Sequence, residues 1–261
     1  MNSLRILAGI VGPFISLIGV ASVEAGTLED IQARGSIIVG VPSDSPPFGM
    51  LDPSGELIGY DIDMARLVAE DLGVDLEVVY ASGTSRVPFL TSGRVDIIIS
   101  NLGKNAERDE VIDFSEPYAP FFNGVFGPPE IVVTGPEDLS GYSIAVGTGS
   151  IEDLELTAIA PPDADIRRFD GGSGTQSAYF SGAVDLISTA NVVVASLIEM
   201  GAPRPLETKF LIKNSPCYIG VREGDTAMVE YLNGVIERVK SDGTLNEISL
   251  RWMKADLPEV L

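Results

Sequence analysis

The chain of 261 residues contains no histidine and a single cysteine, Cys217. A Ser-His-Asp triad, a Cys-His dyad and a His-ligated zinc site are therefore excluded. One cysteine makes neither an internal disulfide nor a Cys cluster. No metal and no cofactor are expected. Lysine is also scarce: 17 basic side chains face 38 acidic ones, for a formal net charge of −21. Nucleic acid and anionic membrane surfaces are read through Lys and Arg near phosphates, so no nucleic-acid partner is expected. What the chain does have is apolar residue, 45% of the total, enough for a substantial core.

Residues 1–25 read as a secretory signal peptide. Arg5 supplies the positive start, Ile6 to Ala21 an apolar run, and Val23-Glu24-Ala25 small residues at the recognition positions, Val23 and Ala25, before a cleavage point at Gly26. At about 16 residues, with Pro13 inside, the run is short of the roughly 20 needed for a membrane span. No cysteine lies near the cleavage point, so lipid attachment there is excluded. A soluble exported protein follows; a monomer is also expected.

The remainder alternates strand-like and helix-like segments, the grammar of an α/β protein. Ile37–Val41 reads as a strand. Ile62–Leu72 reads as a helix, with apolar residues at 62, 65, 69 and 72, Asp61 as N-cap and Gly73 as stop. Leu76–Tyr80 is a strand, Val87–Thr91 a short helix, and Val95–Ser100, apolar except at Asp96 and Ser100, is suited to a buried parallel strand. The pattern then recurs. Ser92-Gly93-Arg94-Val95-Asp96-Ile97-Ile98 is echoed by Ser181-Gly182-Ala183-Val184-Asp185-Leu186-Ile187. Strands at Tyr142–Val146 and Ile166–Phe169 and a helix at Thr175–Phe180 precede the second copy, which implies two similar halves. They meet near Tyr118–Phe122, and Asp225–Met253 reads as a helical region interrupted at Asp242-Gly243 that returns to the first half. Ligands of open α/β sheets bind beyond the carboxyl ends of strands. The ends at Val41–Asp44, Ser100–Gly103, Val146–Ile151 and Ser188–Asn191 are therefore expected to line one cleft.

Several segments in order carry a resemblance: Gly59-Tyr60-Asp61-Ile62-Asp63, Gly93-Arg94-Val95-Asp96, Glu107-Arg108, Asp113-Phe114-Ser115-Glu116-Pro117-Tyr118, Leu139-Ser140-Gly141, Ala145–Ser150, Asp242-Gly243-Thr244-Leu245 and Arg251-Trp252. The chain resembles the family 3 solute-binding proteins of ABC transporters, the periplasmic amino-acid-binding type. The resemblance implies a two-lobed periplasmic-binding-protein fold of type II, its α/β lobes joined by two crossover strands. The lobes would comprise 26–121 with 213–261, and 122–212. The implied function is capture of a small carboxylate-bearing solute, an amino acid or derivative, for an inner-membrane ABC permease, without catalysis.

The resemblance also implies site residues. Arg108 stands where the family clamps the ligand carboxylate, a task suited to a planar guanidinium fork. Ser100, Asn101 and Gly103 occupy the contact stretch before it, with Gly103 lacking the frequent hydroxyl. Ser150 and Ile151 open a helix whose backbone N–H groups would face the carboxylate, and Glu152 falls where a polar side chain reaches the cleft. Each has a plainer reading: a surface ion pair for Arg108, turn bonding for Ser100 and Asn101, helix capping for Ser150 and Glu152. The departures are specific. Ala190, between Thr189 and Asn191, replaces the usual Asp for the ligand ammonium, with Asp170 or Glu152 as substitutes. Ser45 and the stretch Ser82–Ser85 replace usual aromatics, leaving Phe48, Tyr60 and Phe122 as alternatives or core. A roomier, less aromatic pocket is expected. Cys217 and Trp252 read as structural. An exported cyclohexadienyl-dehydratase-like enzyme, with Glu152 or Asp170 as acid, and a ligand-sensing partner of a membrane receptor are the alternatives.

Overall fold

The computed structural model describes residues 27–258 and Leu261; the expected signal peptide at 1–25 lies outside them. The chain begins with α1 (Thr27–Arg34) and β1 (Ser36–Val41), followed by the small antiparallel strands β2 (Asp44–Ser45), β3 (Gly49–Leu51) and β4 (Leu57–Ile58). Then come α2 (Tyr60–Leu72), β5 (Asp75–Tyr80), α3 (Arg86–Thr91), β6 (Ile97–Gly103), α4 (Ala106–Asp109) and β7 (Ile112–Ala119). The second lobe holds β8 (Phe122–Gly127), β9 (Ser143–Gly147), α5 (Ile151–Ile159), β10 (Asp165–Phe169), α6 (Gly171–Phe180), β11 (Leu186–Ala190), α7 (Asn191–Glu199) and β12 (Glu207–Asn214). The chain returns through β13 (Cys217–Arg222), α8 (Thr226–Ser241) and α9 (Thr244–Met253).

The sheet orders are β5-β1-β6-β13-β7 and β10-β9-β11-β8-β12. In both, three parallel strands are extended by a strand that runs antiparallel to them. The architecture is thus the two-lobed α/β form. The chain passes between sheets at Pro120-Phe121 and at Ser215-Pro216, where Ser215 N donates to Phe121 O at 2.7 Å. β12 runs to Asn214, so its last residues fall beyond the boundary expected at 213. No helix among the described residues is long and apolar enough to cross a membrane.

The internal echo has a structural cause. Gly93 and Gly182 both adopt left-handed backbone, φ +72° and +75°, just after α3 and α6. Val95 and Val184 are buried. Asp96 Oδ2 then accepts from Ile38 N at 2.8 Å, and Asp185 Oδ2 from Ser143 N at 2.8 Å. Each carboxylate takes a backbone N–H near the start of the neighbouring parallel strand, β1 or β9. A β-carbon on either glycine meets open space, so the cost of adding one is conformational alone. Gly93→Ala and Gly182→Ala are each expected to lose about 1–2 kcal/mol in urea unfolding, by similar amounts.

Local structure follows the apolar spacing with informative exceptions. α2 buries Ile62, Met64, Ala65, Val68 and Ala69 and stops at Gly73, whose left-handed N–H reaches back to Ala69 and Glu70. Burial of each large apolar side chain contributes about 1.5–3 kcal/mol. Asp61 is not the N-cap. That position is Gly59, whose own β-carbon would lie 2.2 Å from Phe48 O. Asp61 instead turns inward from the first turn of α2. Val95 and Asp96 belong to the turn before β6 rather than to the strand. α6 starts at Gly171, earlier than its glycine-rich sequence suggests. The interruption at Gly243 is real, with φ +88° between α8 and α9. Trp252 packs on the core and donates to Asp63 Oδ2 at 2.7 Å, and Cys217 is fully buried.

Candidate functional site

The carboxyl ends of β1, β6, β9 and β11 open on one gap between the lobes, with a cavity volume of about 70 Å3 for the centre of a water-sized sphere. The first lobe contributes Asp44, Ser45, Ser82, Arg86 and Asn101. The second contributes Thr148, Ser150, Glu152, Gln176, Ser188 and Thr189 among others. Among the described residues no aromatic side chain lines the gap. Phe48 and Tyr60 sit in a core cluster with Phe121 and Tyr118, and Phe122 is not on the wall.

Arg86 is the cation on this wall. It opens α3 after a serine-rich turn in which Ser82 N donates to Ser85 Oγ at 2.9 Å. Its Nε donates to Ser82 O at 3.3 Å, and Nη1 to Ser100 O at 2.7 Å and Asn101 O at 3.4 Å. Nη2 is left without a protein acceptor among the described residues. Burial lowers the Arg86 pKa, against the pull of Glu152 and Asp61. Sequence reasoning passed over this residue. It is the lone basic side chain between Arg66 and Arg94, and that isolation was the available signal.

Glu152 faces it from the first turn of α5. Ser150 is the N-cap there, its hydroxyl accepting from Asp153 N at 3.2 Å. Glu152 is buried, and burial raises its pKa despite Ser150 and the charges of Arg86 and Arg108. Asn101 adopts left-handed backbone, φ +35°. Its N–H goes to Asp61 Oδ2 at 2.7 Å and its Nδ2 to Ser45 Oγ at 3.3 Å, while Oδ1 is buried without a partner. Ser188 Oγ is likewise buried and unpartnered on the opposite wall. Ser100 stands just behind the wall, its hydroxyl donating to Ala81 O at 3.3 Å and its carbonyl holding Arg86.

Other residues proposed from sequence lie elsewhere. Arg108 does not line the gap. Its backbone N–H is held by Asn105, its Nη1 donates to Gly103 O at 2.6 Å, and its Nη2 crosses to Gly149 O in the second lobe at 2.9 Å. Burial and the like charge of Arg86 bring its pKa down to about 10. Gly103 is not a wall residue either. A β-carbon there would lie 3.0 Å from Ile151 Cγ1, so the missing side chain makes room for the Ile151 side chain to pack. Ala190 is fully buried at the head of α7, and Asn191 Oδ1 accepts from Phe122 N at 3.3 Å beside the first crossing. Asp170 precedes α6 without capping it. The α6 N-terminus instead receives Asp44 from the other lobe, Ser173 N donating to Asp44 Oδ2 at 3.1 Å and Ser173 Oγ at 3.3 Å.

Chemically, the gap offers one buried guanidinium, one buried carboxyl across from it, the half-buried carboxylate of Asp44 at the α6 N-terminus, and uncharged donors and acceptors between. That suits a small polar solute held from both sides. The comparisons agree. The family model for bacterial extracellular solute-binding proteins, family 3, matches residues 37–255. The chain is 29% identical over 248 residues to the ABC transporter glutamine-binding protein of Bacillus subtilis, covering 92% of this chain and 90% of that one. An ancestral arginine-binding protein bound to arginine superposes with TM-score 0.78 at 30% identity, covering 84% and 98% of the two chains. An ancestral amino acid-binding protein described as a precursor of cyclohexadienyl dehydratase gives 0.80 at 27%, covering 87% and 99%. The chain thus belongs to the bacterial extracellular solute-binding proteins, family 3.

Proposed function

We propose that this chain captures a small carboxylate-bearing solute, an amino acid or derivative, by closing its lobes, and delivers it to an ABC permease in the inner membrane. It works in the periplasm as a monomer and without catalysis. The observation that carries the reading is the polar gap itself, walled from both lobes at the strand ends and holding a buried guanidinium. The family and the names of its relatives support an amino-acid class of solute. The lobes comprise 26–121 with 215–261, and 122–214, because β12 of the second sheet runs to Asn214.

Thermal unfolding after removal of carried solute tests it. Amino acids, N-blocked and deaminated forms, opines and other small carboxylates form the panel. A solute at 100 times its dissociation constant stabilises by about 2.7 kcal/mol, a clear shift in melting temperature. Stabilisation by at least one carboxylate is the expected result; a panel without effect rejects the reading.

A second reading has one observation in its favour. Glu152 is a buried carboxyl whose pKa is raised, the property an acid catalyst requires. An exported cyclohexadienyl-dehydratase-like enzyme would turn over prephenate or arogenate, and product formation lost in Glu152→Gln would establish it. A sensing partner of a membrane receptor would bind the same solute and is separated by pull-down.

A further inference from the structure

The two family positions for the charged ends of an amino acid do not serve in this gap. Arg108 is spent on two backbone carbonyls. The β11 position holds Ala190, which brings no charge. Charges nonetheless face the gap at other positions: Arg86 on the first lobe, Glu152 on the second, and Asp44, whose Oδ2 is already taken by Ser173 N and Ser173 Oγ. Resting on the amino-acid reading above, we propose that Arg86 and Glu152 are the re-sited charge pair that reads the carboxylate and the ammonium of a zwitterionic solute.

The argument is one of unfinished partners. Among the described residues no ion pair joins Arg86 to Glu152, although each feels the other's charge. Two buried opposite charges kept apart by a gap are costly unless something dipolar spans them. Arg86 Nη2 has N–H groups to give, and a carboxylate accepts them as charge-assisted bonds. An ammonium has three N–H groups. Glu152, Asn101 Oδ1 and Ser188 Oγ are three acceptors on the wall, the last two without protein partners. The pair spans the lobes, so one zwitterion ties them together. Arg108, joined to Gly149 O across the same divide, then serves lobe contact rather than recognition.

Discrimination ratios test the assignment where affinity alone would not. The probes are L-glutamine and L-arginine, each with its carboxamide and its N-acetyl form, titrated calorimetrically into the chain expressed from its full sequence. The wild type should prefer free acid over carboxamide, and free amine over N-acetyl, by about 30-fold or more. Arg86→Gln should bring the first ratio to within about threefold of unity, and Glu152→Gln the second. Arg108→Gln should weaken all probes alike and keep both ratios. The assignment is overturned if Arg108→Gln erases the acid preference while Arg86→Gln keeps it, or if the amine preference survives Glu152→Gln. Should no probe bind the wild type, the amino acid that stabilises it most in the panel above replaces them; should none stabilise it, the amino-acid reading fails, and acetate becomes the probe for Arg86. A melting-temperature rise with acetate that vanishes in Arg86→Gln keeps Arg86 as the anion site. Absence of that rise in the wild type, or its survival in the variant, removes it.

Discussion

Replacing Gly172 with leucine is expected to abolish tight solute capture while leaving each lobe folded. Gly172 lies in the first turn of α6, and a β-carbon there would stand 2.3 Å from the backbone oxygen of Asp44, on the other lobe. A backbone oxygen cannot swing aside as a side chain does, so the lobes must separate. Within its own lobe the substitution is benign. The position is helical, and leucine is favoured over glycine in a helix by about 0.7 kcal/mol. Separated lobes leave a solute with contacts on one side only. Losing two charge-assisted bonds at about 1.5 kcal/mol each lowers affinity roughly 150-fold. Calorimetry gives the affinity, small-angle scattering the wider separation, and urea unfolding the unchanged stability. Gly234→Leu is the control, a helical glycine of α8 with open space around it. Full affinity in Gly172→Leu would show that capture does not need the Asp44–α6 contact.

The same contact explains what the sequence could and could not disclose. Ile37–Val41, Ile62–Leu72 and the two Gly-x-Val-Asp segments carry their structure locally, through burial period, a left-handed glycine and an aspartate set to hold the next strand's N–H. Those elements were legible, and so was the convergence of four strand ends on one gap. The residues that furnish the gap were only partly legible. Ser45, Asn101, Ser150 and Glu152 reach its wall. Arg108 is not on it: its guanidinium goes to the carbonyls of Gly103 and Gly149, and Ile151 packs over Gly103. That outcome depends on packing between residues distant in sequence, which no local pattern records. Arg86 was missed for the converse reason. Its place in a short helix gave it an ordinary local role, and only the third dimension brings it opposite Glu152. Asp44 likewise reads as a loop acid until α6 arrives over it from the other lobe.

Stability is expected to fall as pH rises from about 4 to about 7, the reverse of ordinary carboxylate behaviour, and Asp61 is the cause. Its carboxyl is fully buried, and burial pushes its pKa from 3.8 up to about 7. The Tyr118 hydroxyl at 2.7 Å, the Asn101 N–H at 2.7 Å and the charge of Arg86 favour the ionised form but do not outweigh burial. Between those two pH values the folded chain holds a proton that the unfolded chain has released. The unfolded state then binds fewer protons, so the free energy of unfolding declines with pH and levels off above about 7. A shift of that size corresponds to about 4 kcal/mol across the window. Glu152, also raised by burial, acts in the same direction. The surface acids whose pKa values are lowered, Asp52, Asp138 and Asp242, give up their stabilisation only as pH falls below the same window. Urea unfolding between pH 4 and 8 measures the slope. Asp61→Asn should flatten it, because an amide fills the same space without a charge, and the Tyr118 hydroxyl is free to accept from it. Asp61 also fixes the left-handed turn at Asn101 on the wall of the gap, so the variant that removes the pH slope should alter solute affinity as well. A stability that rises steadily from pH 4 to 7, unchanged by Asp61→Asn, would mean that the buried carboxylate is satisfied as an ion and that its bonds to Tyr118 and Asn101 outweigh its desolvation.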